Sequence, residues 1–249
     1  MRTEVATILE RPRALLDITL ALILPRRCPI CGTTLAERDH GWCSACESGM
    51  TVYDRAVCPQ CRRFIPRGAS ACETGHDPGD PTVVYAVGGF DNAFGTMVHA
   101  LKYDGYRELA KPLGNLLAGR ITPAALSAIV AVPTSPKKRR KRGYGHAEEI
   151  ASSCAESLGV PCIPDALQFT RSVADQTKLS AKQRKANLKG ALVVRDGLSL
   201  TDSAVLVVDD VMTTGATMGE AGRALKAAGA LSVTGAIIAL NLSNQGGGR

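Results

Sequence analysis

Aromatic residues are scarce in this chain: one Trp, four Phe and five Tyr among 249 positions. A core must therefore rest on Val, Leu, Ile and Ala, and an extended platform of stacked aromatics for single-stranded nucleic acid is disfavoured. Long apolar runs are absent too. The longest candidate near the N-terminus, ALLDITLALIL at 14–24, contains Asp17 and stops at Pro25-Arg26-Arg27. It is too short to span a bilayer, and no small-residue cleavage site follows it, so it departs from a secretory signal despite Arg11 and Arg13 in front. Leu15, Leu16, Thr19, Leu20, Ile23 and Leu24 instead mark one face of an amphipathic helix, read as a helix docked on the rest of the protein. The expectation is a cytoplasmic protein without membrane insertion. An acidic surplus is also lacking. The formal charge is +7, which favours anionic partners such as nucleotides, phosphates or nucleic acid without choosing among them.

What the chain does have is cysteine, unevenly placed. Seven of nine lie between Cys28 and Cys72, and six of these form C-x-x-C pairs, which reads as metal binding where no secretory signal is present. Cys28, Cys31, Cys43 and Cys46 have the spacing of two knuckles that present four thiolates to one zinc ion. Cys58, Cys61, Cys72 and His76 form a second candidate set. Interleaved pairing, the first pair with the third, is an alternative that spacing leaves open. Full thiolate ligation leaves no open position, so the metal role is structural. Cys154 and Cys162 sit in apolar surroundings and read as core.

Composition changes near residue 80, where HDPGDP (76–81) reads as a linker. This divides the chain into residues 1–80, an N-terminal helix and cysteine-rich zinc module, and residues 81–249. In the second part β-branched runs alternate with helical patterns. Strands are expected over 83–90, 127–132, 160–163, 190–194, 204–210 and 232–240, and helices over 94–102, 108–118, 147–158 and 218–228, with Gly229 as the stop. The fold class is α/β, a parallel sheet covered by helices on both faces.

The stretch VLVVDDVMTTGAT (205–217) concentrates the chemistry. Ligands of open α/β sheets bind beyond the carboxyl ends of strands, where Asp209 and Asp210 are expected. The following turn, 211–217, offers backbone N–H groups, those of Gly215 and Ala216 among them, the hydroxyls of Thr213, Thr214 and Thr217, and the N-terminus of the helix that follows, all suited to a dianionic phosphate. Gly215 permits close approach or a positive φ. Carboxylates suit ribose hydroxyls or hydrated Mg²⁺ instead. A phosphate beside a diol describes a ribose 5-phosphate unit.

This thirteen-residue pattern resembles the phosphoribosyl pyrophosphate signature of type I phosphoribosyltransferases. The chain from about Leu15 to Leu240 resembles the ComF family, competence-associated phosphoribosyltransferase-like proteins. The resemblance is carried by the cysteine pairs ahead of the core, by ALKY (100–103) with Gly105, by VPTSPKKRRKRGYGHAEEIA (132–151), and by Gln176, Leu179, Ser180, Arg184 and Asn187. Gly145-His146 stands where the family usually has Asn-Gln. The resemblance implies a type I phosphoribosyltransferase-like sheet. It implies phosphoribosyl pyrophosphate as the ligand, its 5-phosphate on Thr213–Thr217 and its ribose on Asp209 and Asp210. Pyrophosphate would lie near Thr134 and Ser135, with Mg²⁺ bridging, and Lys102 at the site's edge. By periodicity alone Tyr103 is a packing residue.

Two basic segments carry competing readings. KKRRKR (137–142) reads as a solvated loop whose Arg142 reaches pyrophosphate, or as a nucleic-acid contact. The polar stretch 171–189 reads as a lid, by resemblance closing over substrate with Arg184. His99 and His146 have no nameable partner in the sequence. Two functions therefore stand. One is a Mg²⁺-dependent phosphoribosyltransferase with an unidentified acceptor, linked to DNA uptake. The other is a non-catalytic protein that senses phosphoribosyl pyrophosphate or binds single-stranded DNA among competence proteins.

Overall fold

The structure is a computed structural model that describes residues 25–67, 69, 72–74, 79–121, 126–171 and 181–242, without the side chains of Ala181, Lys182, Arg184 and Lys185. The expected docking helix at 15–24 and His76 lie outside the described residues. So do residues 172–180 of the expected lid. No helix among the described residues is long and apolar enough to cross a membrane.

The chain forms two compact units, Met1–Met50 and Thr51–Arg249. In the first, residues 26–35 make a tight cysteine turn closed by hydrogen bonds from Cys28 N–H to Thr33 O (2.8 Å) and Gly32 N–H to Cys28 O (2.8 Å). A short helix, α1 (Ser44–Ser48), carries its second cysteine pair, with Cys43 at the N-cap and Cys46 inside the helix.

The second unit holds a five-stranded parallel sheet in the order β1-β7-β6-β2-β3. Its strands are β1 (Val84–Gly89), β2 (Ala128–Ala131), β3 (Cys162–Ile163), β6 (Ala204–Met212) and β7 (Ser232–Leu240). Val, Ile, Leu and Ala fill them because helices cover both faces. Val130, Val205, Val207, Val233 and Ile237 pack in one cluster with Met218, Ala221 and Leu225 of α7 (Ala216–Ala227). The alternate residues Ile129, Leu206 and Val208 are equally buried and face the other layer. That layer holds α2 (Ala93–Tyr103), α3 (Ala110–Ala118) and α5 (His146–Leu158). There Gly114 of α3 lies so close to α5 that a Cβ would stand 2.8 Å from Ile150 O.

Three features differ from the sequence expectations. The sheet unit begins at Thr51, so the knuckle at Cys58–Cys61 folds with the sheet. Val57 bridges antiparallel to Val84 at the β1 edge, with hydrogen bonds of 2.8 and 2.9 Å. The end of the expected linker is packed too: a Cβ on Gly222 of α7 would stand 2.2 Å from Asp80 O. Second, β5 (Leu192–Val194) does not join the main sheet. It pairs antiparallel with β4 (Leu167–Phe169), a strand too short to show a period, and α6 (Ala181–Leu188) lies between them. Third, KKRRKR is helical. Residues Pro136–Arg142 form α4, opened by proline at its first turn and stopped by Gly143 at φ 84°.

Candidate functional site

Strand order places the site. The chain leaves β2 toward β3 on one side, and leaves β6 toward β7 on the other. The carboxyl ends of β2 and β6 therefore flank the crevice where α/β sheets bind ligands. β2 ends near Ala131, with Val132 N–H donating to Val208 O at 2.8 Å. β6 runs on to Met212 because β7 still pairs with it, Asp209 opposite Ile237 and Met212 opposite Leu240. The acids thus do not terminate their strand, as the sequence suggested. They sit where it outruns its neighbour on one side only.

Asp210 is buried, held by one side chain and approached by another. Lys102 Nζ, from the last turn of α2, donates to its Oδ1 at 2.7 Å, and His146 Nδ1 stands 3.6 Å from its Oδ2. Burial would lower the Lys102 pKa, but the charge and hydrogen bond of Asp210, with Asp209 beyond, outweigh it and raise it. His146 is 3% exposed, and its Nε2 has no hydrogen-bond partner among the described residues. Burial drives its pKa down to about 4; Asp210 opposes this, while Arg142, Lys102 and Lys138 reinforce it. The imidazole is therefore neutral at pH 7. Asp209 has no ion pair among the described residues. Its Oδ1 accepts from Asp210 N–H at 2.8 Å. Burial first and the Asp210 charge second push its carboxyl up to about 8, against Lys102. Such a group gains from a ligand hydroxyl or a cation brought to it.

Beyond Met212, Thr213, Thr214, Gly215 and Thr217 are all half-buried around the turn into α7, which opens at Ala216. Gly215 has φ 74°, and the Thr214 hydroxyl accepts from Ala216 N–H at 3.4 Å. The glycine is required twice over. Its φ disfavours a side chain, and a Cβ would lie 2.2 Å from Pro59 O.

Across the crevice, Thr134 and Ser135 are half-buried at the end of β2. Thr134 N–H and its hydroxyl are engaged by the Glu148 carboxylate at 3.1 and 3.3 Å, and Arg139 holds the same carboxylate. A carboxylate thus occupies the donors expected to face pyrophosphate. Gly145 is what admits it, since a Cβ there would stand 1.0 Å from Glu148 Oε2. Arg142 lies over the Tyr103 ring at 4.9 Å, and Tyr103 is exposed, not packed. His99 pairs with Asp104 at 3.2 Å. The Arg184 side chain lies outside the described residues. Sequence reasoning did not find Glu148, the His146–Asp210 contact or Arg62, whose Nη1 donates to Thr213 O at 2.8 Å and Asn241 O at 3.1 Å.

The cysteines gather in two groups: Cys28, Cys31, Cys43 and Cys46, and Cys58, Cys61 and Cys72, with sulfurs within 4.8 Å of one another in each. The interleaved pairing is thereby set aside. Cys31 and Cys43 sulfurs are 3.7 Å apart and Cys61 and Cys72 3.5 Å. Four thiolates at about 2.3 Å around tetrahedral zinc stand roughly 3.8 Å from one another, so both groups fit zinc. Thr33 holds the Cys31 thiol down at about 6, and Thr74 holds Cys72 down at about 7, through side-chain and backbone hydrogen bonds. Both thiols are thus poised as thiolate ligands. Cys154 is buried, as expected.

A double zinc ribbon domain matches residues 19–75, and a phosphoribosyl transferase domain matches residues 141–246. The chain is 32% identical over 222 residues to the DNA utilization protein YhgH of Escherichia coli K12, covering 85% of this chain and 96% of that protein. It is 24% identical over 214 residues to competence protein F of Haemophilus influenzae, covering 82% and 92%. To competence protein ComFC of Streptococcus pneumoniae it is 23% identical over 220 residues, covering 83% and 96%.

Proposed function

The chain belongs to the ComF family, and from that premise we propose that it binds phosphoribosyl pyrophosphate in the β2/β6 crevice and transfers the phosphoribosyl group to an acceptor nucleophile. One observation carries this reading. Asp209, a carboxyl without an ion pair among the described residues, sits directly before a threonine-lined turn that opens a helix. The turn suits the 5-phosphate and the acids suit the ribose hydroxyls. Asp210 is committed to Lys102, so the chain supplies few ligands for Mg²⁺, which would arrive on pyrophosphate and offset the charge of the leaving group. Thr134 and Ser135 take pyrophosphate once Glu148 is displaced, with Arg142 beside them. Arg184 is assigned to the closed site by the family resemblance alone. Asp210, steadied by Lys102, keeps its carboxylate oriented toward the ribose.

Titration calorimetry with phosphoribosyl pyrophosphate and Mg²⁺ tests the reading. The folded Asp209→Asn/Asp210→Asn variant should bind at least ~100-fold more weakly, the loss of two charged hydrogen bonds. Equal affinity would refute it.

A second reading rests on α4. Lys137, Arg139, Arg140 and Lys141 are exposed on one short helix, a surface suited to phosphodiesters. Under this reading the protein binds single-stranded DNA, in keeping with relatives named for competence and DNA utilization, and senses phosphoribosyl pyrophosphate without turnover. Replacing Lys137, Arg140 and Lys141 by Ala should then flatten the salt dependence of DNA binding, by about 0.7 in log–log slope per charge. An unchanged slope removes α4 from the interface.

A further inference from the structure

Arg62 follows the Cys58–Cys61 knuckle by one position. Its backbone is locked by the metal-binding turn: Arg62 N–H donates to Cys58 O at 2.8 Å, and Cys58 N–H to Arg63 O at 2.9 Å. The turn itself is pinned to the sheet edge through Val57 and Val84. From that fixed base the guanidinium reaches the carbonyls of Thr213 and Asn241, just past the ends of adjacent strands β6 and β7. Pro59 O, inside the same knuckle, presses on Gly215. The knuckle therefore supports the phosphate turn at both its first residue and its glycine.

Arg62 does this at a cost. Its φ is +60°, a left-handed conformation that disfavours a side chain. The matching position of the first knuckle is Gly32, at φ +76°, where no such cost arises. A strained arginine retained where glycine fits indicates work done by the side chain.

We propose that Arg62 is a positioning residue for the phosphate turn, and that zinc on Cys58, Cys61 and Cys72 is thereby linked to ligand binding at Thr213–Thr217. The ligand half rests on the functional reading above; the positioning half does not. Zinc fixes the knuckle, the knuckle fixes the guanidinium and Pro59 O, and these hold the turn in its binding shape. By thermodynamic reciprocity, ligand tightens the zinc site by the same factor that zinc tightens the ligand.

The test uses the full chain and the Arg62→Gly variant. That variant places at position 62 the residue found at the matching position of the first knuckle and removes the whole side chain; Arg62→Lys retains the stem and the charge without the fork. Zinc content should remain at two ions per chain. Amide exchange of 212–218, measured without ligand, should rise about tenfold in Arg62→Gly, with Arg62→Lys between it and wild type. Unchanged exchange in a zinc-loaded variant overturns the positioning role. Next, zinc affinity is measured by equilibrium competition with a chelator, with and without phosphoribosyl pyrophosphate and Mg²⁺. The ligand should tighten the second site about tenfold in wild type and by a much smaller factor in Arg62→Gly, within the range of allosteric couplings. Equal tightening in both, or none in a wild type that binds the ligand, overturns the linkage. If wild type fails to bind the ligand, the linkage and the functional reading both fall, and the exchange result alone decides the positioning role.

Discussion

Residues 26–35 and 56–65 fold into the same turn thirty positions apart, Cys28 matching Cys58. Leu35 N–H donates to Arg26 O in the first, and Ile65 N–H to Ala56 O in the second, both at 2.8 Å. Arg27 bridges Thr34 as Val57 bridges Phe64. Each turn takes a positive φ at the residue after its second cysteine. Their surroundings differ. A Cβ on Gly32 meets nothing within 4 Å, whereas the second turn presses on Gly215 and reaches Thr213. The first knuckle belongs to the smaller unit; the second is a supporting part of the sheet unit that carries the site. The same metal turn thus stands in the smaller unit in one place and against the Thr213–Gly215 turn in the other.

Removing each metal in turn is the strongest way to break this comparison. Cys58→Ser/Cys61→Ser should lose one zinc and destabilise the sheet unit by more than about 3 kcal/mol, read as amide exchange across β6, because a structural zinc site contributes directly to folding. Cys28→Ser/Cys31→Ser should also lose one zinc but leave β6 exchange unchanged. Equal effects on β6 would mean the two knuckles play the same part.

The next effect is at the contact between knuckle and turn. Gly215→Ala should cost about 2–4 kcal/mol, combining the left-handed φ with a Cβ 2.2 Å from a backbone carbonyl. Urea denaturation checks this, and a cost under about 1 kcal/mol would show that the Pro59 contact is easily relaxed.

How much of this was legible in the sequence follows from the range of each interaction. β6 and β7 are nine-residue runs whose hydrophobicity is local, and they were readable. C-x-x-C spacing made metal binding readable, but it left sequential and interleaved pairing open until the sulfurs were seen to gather in two groups. β4 spans three residues and has no period to detect. In α4, six like charges suggested a loop, although Pro136 and Gly143 carried the start and stop signals of a helix. Asp209 and Asp210 were expected at the end of their strand and lie within it, because β7 pairs on to Met212, and their partners were not foreseeable. Lys102 lies 108 residues before Asp210, and Arg62 lies 151 before Thr213. Only the alignment of the two knuckles, Gly32 against Arg62, carried a local hint, and that required knowing that both turns take a positive φ.

Acid offers a further separation, because it strips thiolate zinc sites from both knuckles while also acting on the crevice. His146 must be accounted for first. Its folded pKa, about 4, lies below its ordinary 6.5, so the unfolded chain takes up the proton first as pH falls. The stability this represents is full above pH 6.5 and is lost as pH falls toward 4. Asp209 acts oppositely. Raised from 3.8 to about 8, it costs stability as pH rises through that window, so the wild-type profile is flattened. The difference between wild type and His146→Gln isolates the histidine. It should shift by about 2 kcal/mol against wild type between pH 7 and pH 5, measured by urea unfolding with zinc retention checked at each pH. A difference independent of pH would mean His146 titrates normally.

The smallest expected effect is the reciprocal of the Arg62 argument. Gly32→Ala places a side chain in the left-handed conformation that Arg62 already tolerates, in a position where nothing stands within 4 Å. Only the backbone term remains, so the cost should be about 1 kcal/mol, with zinc stoichiometry unchanged and no change in exchange of 212–218. Chelator competition at the first site reads it as a roughly fivefold easier release. The value matters beyond its size, because it calibrates the strain that Arg62 carries. If Gly32→Ala costs nothing measurable, the turn accepts side chains freely, and the arginine at position 62 then needs no compensating contact to explain its conformation. If the cost is near 1 kcal/mol, the hydrogen bonds to Thr213 and Asn241 must return at least that much, and the second knuckle is distinguished from the first by what its side chain holds.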